Sequence, residues 1–127
     1  MDIIWLEFYQ KSWDELMTCN WSIFYLGATI IGETHKVSDS LLKVGGAYAT
    51  HSVCISKAVA QQIVDRKDEY MYIEPVDVWI DREIIHKNDC YMAFPMVAFQ
   101  RPSYSDGLGK MVDYKQMMLN QLNKFMI

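Results

Sequence analysis

Three features of the sequence predict an α/β domain. Runs of β-favouring residues ("WSIFYLGA", "AYATHSVCIS", "CYMAFPMVAFQ") are separated by segments with helical periodicity ("KAVAQQIVDRK", "PVDVWIDREIIHK"). The chain has 127 residues, 51% of them apolar, which suffices for one domain with one core. Turn residues punctuate the segments at short intervals, and no repeat or low-complexity linker divides them. Antiparallel pairing of the strands would make the same elements α+β.

Ser12 and Glu15 form an S-x-x-E capping box, so a short helix is expected from Trp13 to about Asn20. "WSIFYLGA" reads as a buried strand closing on Gly27. "TIIGETHKVSDS", rich in Gly, Ser, Thr and charge, reads mostly as loop. "LLKV" is a short strand, broken at Gly45–Gly46. "AYATHSVCIS" continues as another strand. Ser56 is placed to cap a helix with Ala58, Val59, Ile63 and Val64 on one side. "YMYIEP" carries no clear pattern. The next helix has Pro75 at its first position and Asp77 and Asp81 in or near its first turns. "CYMAFPMVAFQ" is one strand or two, bent at Pro95, and "RPSYSDGLG" reads as loop. The stripe Met111, Tyr114, Met118, Leu122 and Phe125 predicts a final amphipathic helix from Lys110.

Composition removes several functions. The net charge is -4, and the basic residues are scattered, which argues against nucleic-acid binding. No apolar stretch has the length of a membrane span, and "MDIIWLEFYQ" lacks the features of a secretion signal. Cys19, Cys54 and Cys90 are odd in number and widely spaced, the pattern of reduced thiols in a cytoplasmic protein. His35, His51 and His86 form no metal motif, and no Walker loop, dinucleotide fingerprint or serine elbow occurs.

Three places can carry chemistry. Gly45–Gly46 permit close backbone approach to a ligand, and equally a bend. Beyond them, Tyr48, Thr50 and His51 set polar groups into an apolar run, where an imidazole needs a partner. Asp77 and Asp81, four apart, share a helix face; they either stabilise the helix end or include a general base. "QRPSYSDGLG" gathers Gln100, Arg101, Ser103, Ser105 and Asp106, the dense hydrogen-bonding groups of a sugar or phosphate loop or of a long surface turn.

Taken in order, "WSIFYLGA", "KVGGAYATHSVCISKAVAQQIVD", "PVDVWID" and "FPMVAFQRPSYSDGLGKMVDY" resemble the glycosyltransferase family 25 proteins from about Trp13 to Tyr114. That family includes bacterial lipooligosaccharide galactosyltransferases, collagen galactosyltransferases and many viral and bacterial relatives. The resemblance implies part of a GT-A-like fold, a small mixed sheet flanked by helices. It also implies transfer of a sugar from a nucleotide-sugar donor. On it, Gly45, Gly46, Tyr48, Thr50 and His51 line the substrate side, as do Gln100, Ser103, Ser105 and Asp106. The same resemblance implies that Asp77 falls where the family has an acid facing the site, as the general base or as a group that orients the acceptor. The family's N-terminal half, with the acidic L-E-D-D cluster that holds a divalent metal on the diphosphate, has no counterpart here. The expectation is therefore an acceptor-side half with no metal or cofactor of its own, manganese entering only if a partner supplies that cluster. Its ligands would be a nucleotide sugar or glycan. The alternative is a non-catalytic sugar-, nucleotide- or protein-binding module, or a fragment that merely folds. Trp5, Phe8, Tyr9 and Trp13 crowd the N-terminus where the other half would pack, so a homo-oligomer or a heteromer with a donor-binding half is expected.

Overall fold

The computed structural model describes residues 3–48, 52–98, 103–105, 109–113, 116, 119–121 and 123, of which 3–8 and 103–105 are described for the backbone alone. It is a mixed α/β structure. Five strands form the main sheet: β1 (Ile23–Tyr25), β3 (Thr34–Ser38), β4 (Leu41–Val44), β6 (Val53–Ile55) and β7 (Cys90–Ala93). Their spatial order is β3-β4-β7-β1-β6. Only the β1–β7 pair is parallel; the other three pairs run antiparallel. Two short pairs lie apart, β2 (Thr29–Ile30) with β5 (Ala47–Tyr48), and β8 (Ser103–Ser105) with β9 (Lys110–Val112).

Side chains alternate across the main sheet and build a core on each face. Ile23, Tyr25, Leu42, Val44, Cys90 and Met92 pack against helices α2 (Lys57–Asp65) and α3 (Val76–Glu83) through Val59, Trp79 and Ile80, and against Ile84 just beyond α3. Phe24, Leu41, Tyr91 and Ala93 face α1 (Ile3–Leu16) through Leu16 and Trp13. The apolar runs of β1 and β7 lack polar alternation because both of their faces are covered.

Several sequence expectations need correction. The first helix begins at Ile3, well before the capping box, and ends at Leu16. Ser12 is not its cap; it is fully buried, and its hydroxyl donates to the Ser40 carbonyl at 2.8 Å. Trp13 packs inward, against Trp21 and Phe24 with ring centroids 6.4 and 6.2 Å apart, and Tyr9 stacks on it at 6.2 Å. Those contacts tie half of the expected N-terminal aromatic patch to its own sheet; the side chains of Trp5 and Phe8 lie outside the described residues.

The segment read as loop holds β2 and β3. β3 is an edge strand whose three central residues are exposed, with an irregularity between Lys36 and Ser38, and such a strand needs no inward apolar row. "AYATHSVCIS" is not one continuous strand: β5 and β6 belong to different sheets. Ser56 does cap α2, its side chain accepting from Val59 N–H at 3.3 Å. Of the expected apolar side, Val59 is buried and Ile63 packs on the core, whereas Ala58 and Val64 are exposed. Pro75 stands just before α3, as its N-cap. Part of "RPSYSDGLG" is strand β8, and Lys110–Val112 is β9 rather than the start of a helix. Met111, first of the expected stripe, is 66% exposed. Residue 116 and residues 119–121 are helical; Tyr114, Met118, Leu122 and Phe125 lie outside the described residues.

A band of charge ties α2, the 310 turn Lys67–Glu69 and α3 together. Arg66 donates to Glu69 through two nitrogens at 2.6 and 2.8 Å and reaches Glu83 at 3.3 Å. Arg82 pairs with Glu74, and Lys87 with Glu83. Beneath it lies Trp79, with Tyr70 at 4.9 Å and the Arg66 guanidinium at 5.0 Å from its ring. Hydrogen bonds from Arg66, Arg82 and Lys87 hold the carboxyls of Glu69, Glu74 and Glu83 below the ordinary carboxylate value. A lowered folded-state value contributes stability above the unfolded value and loses it as pH falls through the folded one. Acid titration followed by circular dichroism is expected to show stability falling below about pH 4.5. Replacing Glu69, Glu74 and Glu83 together by Gln should flatten that slope. Each pair is solvent-screened, so salt should weaken the effect.

Candidate functional site

The Gly45–Gly46 step lies between β4 and β5, against the Gly32–Glu33 backbone. A Cβ on Gly45 would stand 2.1 Å from the Glu33 carbonyl oxygen. One on Gly46 would stand 2.8 Å from Gly32 N and 3.1 Å from Asp81 Oδ1. Both glycines have negative φ, so the requirement is space rather than a left-handed backbone. What comes close to this step is the chain itself. Gly46 carbonyl accepts from Ile31 and Gly32 N–H at 3.1 and 3.2 Å, which locks the approach.

Helix α3 is fastened to the same step. Asp81 is 8% exposed, and its Oδ1 accepts the Ala47 N–H at 3.0 Å. Its Oδ2 lies 3.3 Å from His86 Nε2 on the 310 turn Ile85–Lys87. Asp77, one helical turn earlier, is half-buried, and its Oδ1 accepts the Val78 N–H at 3.0 Å. Tyr25, at the end of β1, is buried nearby. Burial pushes its hydroxyl pKa well up, with Cys90, Asp81 and Asp77 adding to the rise. The Cys90 thiol is pushed up to about 12 by burial, which makes it an inert core group. Cys19, Cys54 and Cys90 are all free.

The structure thus brings Gly45, Gly46 and the Ala47–Tyr48 strand against the helix that carries Asp77. Ser103 and Ser105 fall on β8, paired with Val112 and Lys110. Thr50, His51, Gln100 and Asp106 lie outside the described residues. Asp81 and Gly32 join this step without any local sequence signal for it. Asp81 was visible as the helix-face partner of Asp77, but nothing local signals its bond to a backbone N–H 34 residues away.

Gly45 also borders a depression of about 270 Å³. Glu33, His35, Lys43, Val44, Ile85 and Asn88 complete its wall. His35 and Lys43 are direct cross-strand partners on β3 and β4. Among the described residues, no three His, Cys, Asp or Glu side chains gather as a metal site. No described helix is long and apolar enough to cross a membrane. Comparison with family models, curated proteins and solved structures gives no match.

Proposed function

We propose that the chain is a glycosyltransferase-like module that handles the acceptor side of sugar transfer from a nucleotide-sugar donor. The observation that supports this most is the attachment of α3, with Asp77 in its first turn, to the glycine step through Asp81. The attachment brings the helix of Asp77 against Gly45, Gly46 and Tyr48, residues that the family 25 resemblance puts on the substrate side. Asp77 acts there as general base or orients the acceptor hydroxyl. Sugar transfer forms the bond from the acceptor oxygen to the anomeric carbon, and the nucleoside diphosphate leaves with the bonding electron pair. A donor-binding half with metal-holding acids would supply the charge stabilisation for that leaving group.

The test uses the full chain. Saturation-transfer NMR with a panel of disaccharides is expected to give binding that Asp77→Asn weakens about tenfold, or about 1.4 kcal/mol, while thermal stability stays close to the parent's. Calorimetry with manganese and a uridine diphosphate hexose should give no tight metal-dependent binding. If Asp77→Asn lowers stability by about 0.3–1 kcal/mol and leaves binding untouched, Asp77 merely serves its helix end and the proposal fails. Glycan binding without transfer, even with a donor half present, would mark a binding module instead.

A further inference from the structure

The depression beside Gly45 is built by the same close approach that the glycines permit. Gly45 brings the end of β4 onto the Glu33 backbone. Glu33 and His35, two apart along the chain, both line the resulting wall. Among the described residues, neither makes a side-chain hydrogen bond or ion pair, and both are exposed. The remaining polar wall is partly committed. Lys43 Nζ donates one proton to Asp89 Oδ1 at 3.1 Å and has two more. Asn88 Nδ2 donates to the Ile84 carbonyl at 2.8 Å, which holds the amide in place and leaves its Oδ1 as an acceptor.

The wall therefore offers acceptors at Glu33 and Asn88 and donors at Lys43, with an imidazole able to do either. An anion such as phosphate would meet the Glu33 carboxylate and the Asn88 oxygen, with Asp89 close behind. A simple cation would meet the Lys43 ammonium. A neutral molecule whose every polar group both donates and accepts meets neither penalty, and that is the chemistry of a polyol. At about 270 Å³ the space is slightly smaller than the roughly 300–1,000 Å³ of drug-sized ligand sites. It has room for one ring, not for a nucleotide sugar.

We propose that the depression formed by Glu33, His35, Lys43, Gly45 and Asn88 binds a single neutral pyranose. The proposal does not rest on the transferase reading; a pyranose site here stands whether or not Asp77 takes part in transfer.

The experiment is 1H–15N NMR of the full chain titrated with glucose, galactose, mannose and N-acetylglucosamine, each to roughly 100 mM, far above the millimolar constants of weak sites. Inorganic phosphate and magnesium chloride serve as the ionic probes. Saturable shifts at the Val44 and Asn88 amides are expected with at least one sugar and with neither ionic probe. The double substitution Glu33→Ala with His35→Ala, at exposed positions, should weaken that binding by at least tenfold with the spectrum otherwise preserved. Asp77→Asn should leave it unchanged, so this site and the transferase reading fail separately. No saturable shift at those amides with any of the four sugars overturns the proposal. So does a response to phosphate or magnesium in place of sugar, or sugar binding that survives the double substitution.

Discussion

Gly45→Ala is expected to destabilise the domain by about 3 kcal/mol, the upper end of overpacking costs. The added methyl group would lie 2.1 Å from the Glu33 carbonyl oxygen, which is backbone and cannot rotate away. Relief requires β4 to separate from the Gly32–Glu33 segment. That separation would strain the bonds from Ile31 and Gly32 to Gly46 and open the wall of the 270 Å³ depression. Gly46→Ala meets Gly32 backbone atoms at 2.8 and 2.9 Å and is expected to follow the same course with a smaller loss. Gly109→Ala is the control. Gly109 has φ of 66° but open space around a Cβ, so it tests a left-handed backbone alone, at about 1–2 kcal/mol. Thermal melts of the three variants should rank Gly45 as the most damaging, with a fall in Tm of roughly 10 °C. A Gly45→Ala chain as stable as the parent would mean that the two segments part at little cost.

How much of this was legible follows from what each residue faces. β1, β4 and β7 are buried or nearly so, and their apolar runs announce them. Ser56 caps α2 by a local bond three residues long, and local bonds leave local signatures. β3 is different. "THKVS" has exposed residues on both faces at its centre, so its pairing with β4 leaves no alternation to read. The Ser12 capping box is a false lead for a related reason. The partner of that hydroxyl is the Ser40 carbonyl, 28 residues away, which turns a cap residue into a buried interior one. The glycine step shows the same limit at the candidate site. A Gly-Gly pair signals close approach without naming what approaches, and here Gly32 and Glu33 do. The mixed sheet flanked by helices agrees with the α/β class; its one parallel pair and three antiparallel pairs set the balance between α/β and α+β.

Asp81→Ala is expected to cost about 2–3 kcal/mol, because it strands a buried donor. The Ala47 N–H gives its hydrogen bond to Asp81 Oδ1 at 3.0 Å, and Ala47 is 1% exposed, so water cannot readily replace the lost acceptor. Asp81→Asn keeps an oxygen that can occupy the Oδ1 position and should cost less than half as much. The His86 contact decides little of this. His86 is 54% exposed at its side chain, and a pair so open to solvent contributes little, so His86→Ala should stay within about 0.5 kcal/mol of the parent. Urea unfolding of the three variants gives the ranking, and hydrogen exchange at the Ala47 amide locates the cause. That amide should exchange faster in Asp81→Ala than the overall loss of stability explains, because the bond joins β5 to α3 and its removal frees the strand locally. The consequence reaches the candidate site, since the same bond sets where Asp77 stands relative to Gly45–Gly46. Asp81→Ala should therefore weaken disaccharide binding as Asp77→Asn does, although the Asp77 carboxylate is intact, and Asp81→Asn should restore most of it. Equal losses of stability in Asp81→Ala and His86→Ala would place the energy in the histidine contact instead and remove the reason for treating Asp81 as the fastening of the site.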